Sequence, residues 1–273
     1  MKELSRPDII RFRRLIWRFY KENRRDLPFR RTTDPYCITV SEIMLQQTQV
    51  DRVVPKYEAW VDRWPDWQSL AKASVQELHQ MWSGLGYNRR AVFLGRLAKA
   101  VVDEHHGVLP DSPELLRKLP GVGPYTSHAI LIFAFNAPLV TIDTNIRRVI
   151  LHELDLPTTL SDSDLYDIAR QLMPRGKSRE WHYALMDYSS IALPKQMKHI
   201  PPKTRQTRFE GSQRQIRGEI IRRLTSQKSV AVSDIAGALD RSAEDVVQAA
   251  EAMAREGLVT ILRQRIRLCD GDS

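Results

Sequence analysis

Apolar residues return at three- and four-residue intervals through most of the chain, the spacing of one helix face. Asp8-Ile-Ile-Arg-Phe-Arg-Arg-Leu-Ile-Trp-Arg-Phe-Tyr20 has this pattern, and so do Leu70–Met81 and Arg89–Val102. His128–Phe135 is apolar enough to predict a core helix. Pro28, Pro35, Pro65, Gly84, Gly107, Pro110 and Pro120 punctuate the joins, where proline and glycine favour turns over helix. Period-two alternation, the mark of a half-buried strand, is scarce before residue 258. The body of the chain therefore reads as all-α.

The pattern changes after residue 193. Residues 194–212 are rich in Pro, Lys and Arg and poor in apolar residues, as in a basic linker. Gln213–Leu224, Ser233–Leu239 and Ser242–Gly257 then predict three helices, the last with Ser242 as N-cap and Gly257 as its stop. Leu258–Leu262 and Arg263–Leu268 read as a β-ribbon. Three helices and a terminal ribbon suggest a winged-helix-like domain over 213–273. Arg263, Arg265 and Arg267 on its wing favour DNA as the partner, with a protein-contact role as the other reading.

With 42% hydrophobic residues, the 273-residue chain is long enough for one large or two modest domains. A net charge of +9 and a pI near 9.7 suit a polyanionic partner. No stretch is apolar enough to span a bilayer, and Met1-Lys-Glu-Leu-Ser-Arg6 lacks an apolar signal core. A cytoplasmic, nucleoid-associated monomer is expected, or a nuclear one in a eukaryote. The only cysteines, Cys37 and Cys269, are too few for a four-cysteine iron–sulfur cluster, and the adjacent His105 and His106 lack cysteine partners for zinc. No metal and no cofactor is expected.

The most informative segment is Leu119-Pro-Gly-Val-Gly-Pro-Tyr-Thr126. A Gly-x-Gly turn permits positive φ and close approach of the backbone to a ligand. A helix opening near Pro124 offers backbone N–H groups and the positive end of its dipole. Together they make an anion seat able to hold a DNA phosphate through Leu119, Gly121, Val122, Gly123 and Thr126. By itself such a turn can equally be structural. Thr141-Ile-Asp-Thr-Asn145 follows about one helix later and supplies a carboxylate with apolar flanks.

These two segments, with Arg25-Asp-Leu-Pro-Phe-Arg30, Val40–Val50, Trp82-Ser-Gly-Leu-Gly-Tyr87 and Ala184-Leu-Met-Asp187, resemble the helix-hairpin-helix DNA glycosylases of the endonuclease III type, and among them the MutY adenine glycosylase branch. The likeness covers roughly residues 10–193. It implies a two-lobed all-helical fold over 1–193 with the active cleft between the lobes. It implies that Asp143 stabilises the sugar cation and handles the water, and that Glu42, kept protonated by burial, donates a proton to the leaving base. Tyr125 and Asn145 match residues that contact the reacting nucleotide. Gln47 matches a wedge that fills the gap left by a flipped base, Thr48 a contact to the opposite strand, and Tyr87 a residue that wedges or stacks near the lesion. Tyr125 stands where strand-cutting relatives place a Schiff-base lysine, so base release without lyase activity is expected.

This chain departs from the branch at three places. The first cysteine of the relatives' iron–sulfur cluster would fall six positions after Asp187, at Leu193, and Pro194–Pro202 has none. Asn88 replaces a tyrosine common in MutY. Residues 213–273 do not resemble the larger α/β domain with which the branch reads 8-oxoguanine. The expected substrate is double-stranded DNA with an adenine mispaired with guanine or 8-oxoguanine. A thymine/uracil glycosylase acting on T:G or U:G is the alternative. A non-catalytic DNA-binding regulator is disfavoured because Glu42 and Asp143 are both present.

Overall fold

The computed structural model describes residues 3–193 and 210–269; the expected linker, up to residue 209, lies outside them. In chain order the helices are α1 (Arg6–Asn23), α2 (Pro35–Leu45), α3 (Val50–Arg63), α4 (Trp67–Ala71), α5 (Val75–Trp82), α6 (Arg89–His105), α7 (Pro113–Leu116), α8 (Pro124–Phe135), α9 (Thr144–Glu153), α10 (Asp162–Leu172) and α11 (Ser178–Ile191). The tail adds α12 (Gln213–Leu224), β1 (Val230–Ala231), α13 (Val232–Leu239), α14 (Ala243–Arg255), β2 (Val259–Leu262) and β3 (Arg265–Leu268). Contacts divide the chain into two units. One holds residues up to Thr39, Asp111–Lys118 and those from Val122 to 193; the other holds Val40–Pro110, Leu119–Gly121 and the tail.

In the first unit, the predicted N-terminal helix is α1, started by Ser5, whose side chain accepts from the Asp8 N–H. Its apolar face buries Phe12 and Ile16 in a cluster with Val149, Ile168 and Trp181. His128–Phe135 lies in α8, buried over most of its length. Asp187 of α11 is fully buried and accepts from the Arg25 N–H and Nε and from both terminal nitrogens of Arg30, at 2.6–3.0 Å. Arg30 also stacks over Tyr183, 4.4 Å from the ring centroid. A buried carboxylate needs such compensation. The Arg25–Arg30 and Ala184–Asp187 motifs are thus two halves of one ion cluster.

In the second unit, Trp60 meets Trp64 and Trp82 edge-on, with ring centroids 4.7 and 5.5 Å apart. The single helix expected over Leu70–Met81 is instead two. Ser74 and Glu77 form a reciprocal capping box that starts α5 afresh after α4. His79 of α5 is buried and neither ring nitrogen has a hydrogen-bond partner. Burial lowers its pKa to about 4, so it is neutral.

The tail belongs to this second unit. Its sheet has the order β1–β3–β2, antiparallel throughout, with Val230 opposite Ile266 and Leu262 opposite Arg265. Ser242 caps α14 as expected. Arg263 is not on a strand: Arg263 and Gln264 form the two-residue turn, both with positive φ (47° and 61°), the geometry that continues strand twist through a hairpin. Val75 and Val92 of the helical body share the tail's apolar core. Gln76 and Gln80 donate to the Thr225 carbonyl, and Arg96 donates to that of Gly257.

Candidate active site

The turn before α8 holds its glycines for different reasons. Gly121 has φ +76°, and a Cβ there would come within 2.9 Å of the Phe93 side chain. Gly123 is extended, with φ −92°, so the positive φ expected of the motif is needed only at Gly121. Gly123 serves as N-cap, Pro124 takes the first helical position, and no side chain caps the helix. Leu119, Val122 and Thr126 are buried and anchor the turn, while Gly121 is exposed. Tyr125 is half-buried against a cluster containing Ile38, Phe133 and Tyr183.

Asp143 is the N-cap of α9. Its Oδ1 accepts from the Ile146 N–H at 2.7 Å and its Oδ2 from Asn145 Nδ2 at 2.9 Å. Burial raises its pKa, and these donors, which favour the ionised form, oppose that shift. Asn145 is itself exposed. The segment leading to Asp143 is held from α11. The Thr141 N–H donates to His182 Nε2 at 3.1 Å, and His182 Nδ1 lies 2.7 Å from the Ser178 carbonyl. An amide can only donate and a carbonyl only accept, so the proton must sit on Nδ1. Burial lowers the pKa of His182 to about 4, which keeps the ring in this neutral form.

Glu42 lies on α2, half-buried between buried Ser41 and Ile43. Beyond α2, the left-handed Gln47 (φ 55°) is exposed and Thr48 is half-buried; Tyr87, also left-handed (φ 48°), follows Gly86 before α6. One residue ties these loops together. Arg90, only 5% exposed, donates through Nη1 to the carbonyls of Ile43, Met44 and Gln46 at 2.7–3.0 Å. Through Nη2 it reaches Thr48 Oγ1 and the carbonyls of Leu85 and Gly86 at 3.0–3.3 Å. Its guanidinium also faces the rings of Trp82 and Tyr87, at 5.0 and 5.6 Å. The end of α2 leaves unpaired carbonyls and a negative dipole, which a cation satisfies. Burial lowers the Arg90 pKa to about 10, still well above neutrality.

Tyr125, Asn145 and Asp143, with Val122, Gly123 and Thr126, thus belong to the first unit; Glu42, Gln47, Thr48, Tyr87, Leu119 and Gly121 belong to the second. Sequence reasoning missed Arg90 and His182. Nothing marks Arg90 apart from Arg89 in the sequence, and His182 has the polarity of a surface residue. Leu193, where the resemblance would put a cluster cysteine, is 1% exposed and packs in the first unit's apolar core. With two cysteines in the chain, these residues do not fit a four-cysteine cluster. Among the described residues no group of three metal-ligating side chains occurs, and no helix is long and apolar enough to cross a membrane.

Comparison with known proteins bears on this geometry. Residues 40–174 match the model of the HhH-GPD superfamily base excision DNA repair proteins. The adenine DNA glycosylase of Rattus norvegicus is 36% identical over 69% of this chain, which spans only 39% of that protein's length. A solved thermostable thymine-DNA glycosylase superposes with a TM-score of 0.63 at 30% identity, over 70% of this chain and 90% of that one. The adenine DNA glycosylase of Mycolicibacterium smegmatis is 33% identical over 90% of each chain. Agreement on that scale, along nearly the whole of both sequences, makes this chain a member of the HhH-GPD superfamily of base excision DNA repair proteins.

Proposed function

We propose that this protein is a monofunctional DNA glycosylase that extrudes and excises adenine mispaired with guanine or 8-oxoguanine, leaving an abasic site. The observation that carries the reading is Asp143, a half-buried carboxylate fixed by two N–H donors on a helix N-terminus, in a chain similar to adenine DNA glycosylases. As the N-glycosidic bond breaks, positive charge develops on the sugar, and a carboxylate whose donors are already in place stabilises it without reorganisation. Glu42 supplies the proton that the departing adenine needs. Tyr125 has no amine, so no Schiff base forms at this position and the strand stays intact. The α8 N-terminus seats a phosphate, while Gln47, Thr48 and Tyr87 occupy the gap left by the extruded nucleotide. The enzyme acts as a monomer on double-stranded DNA.

A second reading, excision of thymine or uracil from T:G or U:G, is favoured by the likeness to the solved thymine-DNA glycosylase. Duplexes carrying A:8-oxoG, A:G, T:G, U:G and hypoxanthine, incubated under single-turnover conditions, separate the two. The proposal expects fastest release from the adenine mispairs, with strand breakage only after alkali. Preference for T:G or U:G selects the second reading. Breakage without alkali contradicts the absence of lyase activity.

A further inference from the structure

Tyr87 is held in an unusual way. Its left-handed backbone (φ 48°) follows Gly86 (φ 71°), and the Arg90 guanidinium lies 5.6 Å from its ring centroid. The hydroxyl end is held from elsewhere: it accepts from Arg214 Nη1 at 3.4 Å. Arg214 is on the first turn of α12, in the tail, 127 residues away in sequence.

The place of Arg214 is fixed by the docking of the tail. At the far end of α12 the Thr225 carbonyl accepts from Gln76 and Gln80 of α5, at 3.3 and 3.0 Å. Val75 of α5 and Val92 of α6 enter the tail's own core beside Ile216, Ile220 and Val246. The Tyr87 loop runs between these same two helices. These links between the tail and α5 and α6 therefore set where Arg214 meets the phenol. A tyrosine on a glycine-rich loop has rotamer freedom to lose. Here the ring is faced by one cation and the hydroxyl is bonded to a second, so that freedom is already restricted before DNA arrives.

We propose that Arg214 is a positioning residue for mispair recognition: by holding the Tyr87 hydroxyl it sets the angle at which the ring enters the duplex, so the tail contributes to discrimination between mispaired and fully paired DNA. The proposal rests on the reading of Tyr87 as a residue that contacts DNA near the lesion. It makes the tail part of the recognition surface as well as a second grip on the duplex.

The test uses the full chain and two duplexes, one with a non-cleavable 2′-fluoro-adenine opposite 8-oxoguanine and one fully paired. Affinity for each is measured at two salt concentrations. Arg214→Met and Tyr87→Phe should each lower the preference for the mispaired duplex about five- to tenfold, the net scale of one ordinary hydrogen bond. The double variant should lose no more than either single one, because both remove the same contact. Arg214→Lys should restore part of the preference. Equal weakening on both duplexes by Arg214→Met, or losses that multiply in the double variant, would overturn the proposal in favour of a plain phosphate contact. Tyr87→Ala separates the two levels. If it leaves discrimination intact, the reading of Tyr87 fails and takes the proposal with it. If it abolishes discrimination while Arg214→Met is silent, only the proposal is overturned.

Discussion

The segment carrying Asp143 and the loops carrying Gln47 and Tyr87 are immobilised by opposite means. Neutral groups hold Asp143: two N–H donors on the carboxylate and a neutral histidine beneath Thr141. A buried cation, Arg90, gathers the carbonyls of both loops and leaves Gln47 and Tyr87 in left-handed conformations. The difference follows from the jobs proposed for them. A cation beside Asp143 would neutralise the charge meant for the sugar. Loops that must hold strained residues against an extruded base gain from one stiff, multidentate anchor.

The sharpest way to break this contrast is to remove the anchor. Arg90→Met takes the side-chain donor from the buried carbonyls of Ile43 and Met44 and one of two donors from those of Leu85 and Gly86, which also accept from Thr48 Oγ1 and Trp82 Nε1; a loss of ~3–5 kcal/mol is expected, as for other uncompensated buried polar clusters. Urea denaturation measures it; a loss within experimental error would mean that the loops are held by other contacts. Next in size is Glu42→Gln, which keeps shape and removes the acidic proton. Adenine excision should slow by about 10²-fold or more, with a smaller effect on thymine or uracil, whose departure O2 hydrogen bonds can assist. An equal, minor loss on all substrates would remove Glu42 from the role of acid.

The two buried histidines sharpen the contrast at the level of stability. Both have pKa values lowered from 6.5 to about 4. The unfolded chain takes up protons at these sites below about pH 6.5, whereas the folded chain does not until about pH 4. Stability should therefore fall across that window and level off beneath it. Their replacements should differ in sign. His182→Leu strands the Thr141 N–H and should cost ~1–3 kcal/mol at neutral pH. His79→Leu removes a histidine with no hydrogen-bond partner and should be neutral or stabilising, with the larger gain at pH 5. Urea midpoints at pH 7.5 and pH 5 decide this, and equal losses for both variants would contradict it.

The smallest effect is expected on the wing. Arg263, Arg265 and Arg267 are exposed and, among the described residues, pair with no carboxylate, whereas α14 exposes Glu244 and Glu251. A helix of that charge is a poor reader of the major groove, so the wing is the part suited to a phosphate contact. Replacing the three arginines by serine should flatten the salt dependence of duplex binding by roughly one unit per lost contact and leave excision at saturation unchanged. Glu244→Gln with Glu251→Gln should change the slope little. Point substitutions suit this question better than truncation, because removing the tail would expose Val75 and Val92.

The residues that could touch DNA were more legible in sequence than the residues that hold them. Gly121, Asp143 and Tyr125 stand in local motifs whose geometry is set within a few positions. The tail helices and ribbon followed from periodicity and capping, while Ser74 split one expected helix because a short cap outweighed a continuous apolar stripe. Arg90 and His182 act through carbonyls and amides up to 47 positions away, a distance at which side-chain type says nothing about partner. Asp187 was visible only as part of a motif; its two arginines explain why that motif is shared with Arg25–Arg30.

The most direct test of a division between chemistry and recognition places Asp143→Asn and Gln47→Ala side by side in two assays, single-turnover excision at saturating enzyme and affinity for a mispaired duplex. The account predicts a crossed result. Asp143→Asn should lose base release by about 10³-fold or more while binding stays within a few-fold, because its carboxylate serves the transition state. Gln47→Ala should lose preference for the mispair and keep most of the saturated rate. Near-wild-type excision by Asp143→Asn, or an intact mispair preference in Gln47→Ala, would contradict it.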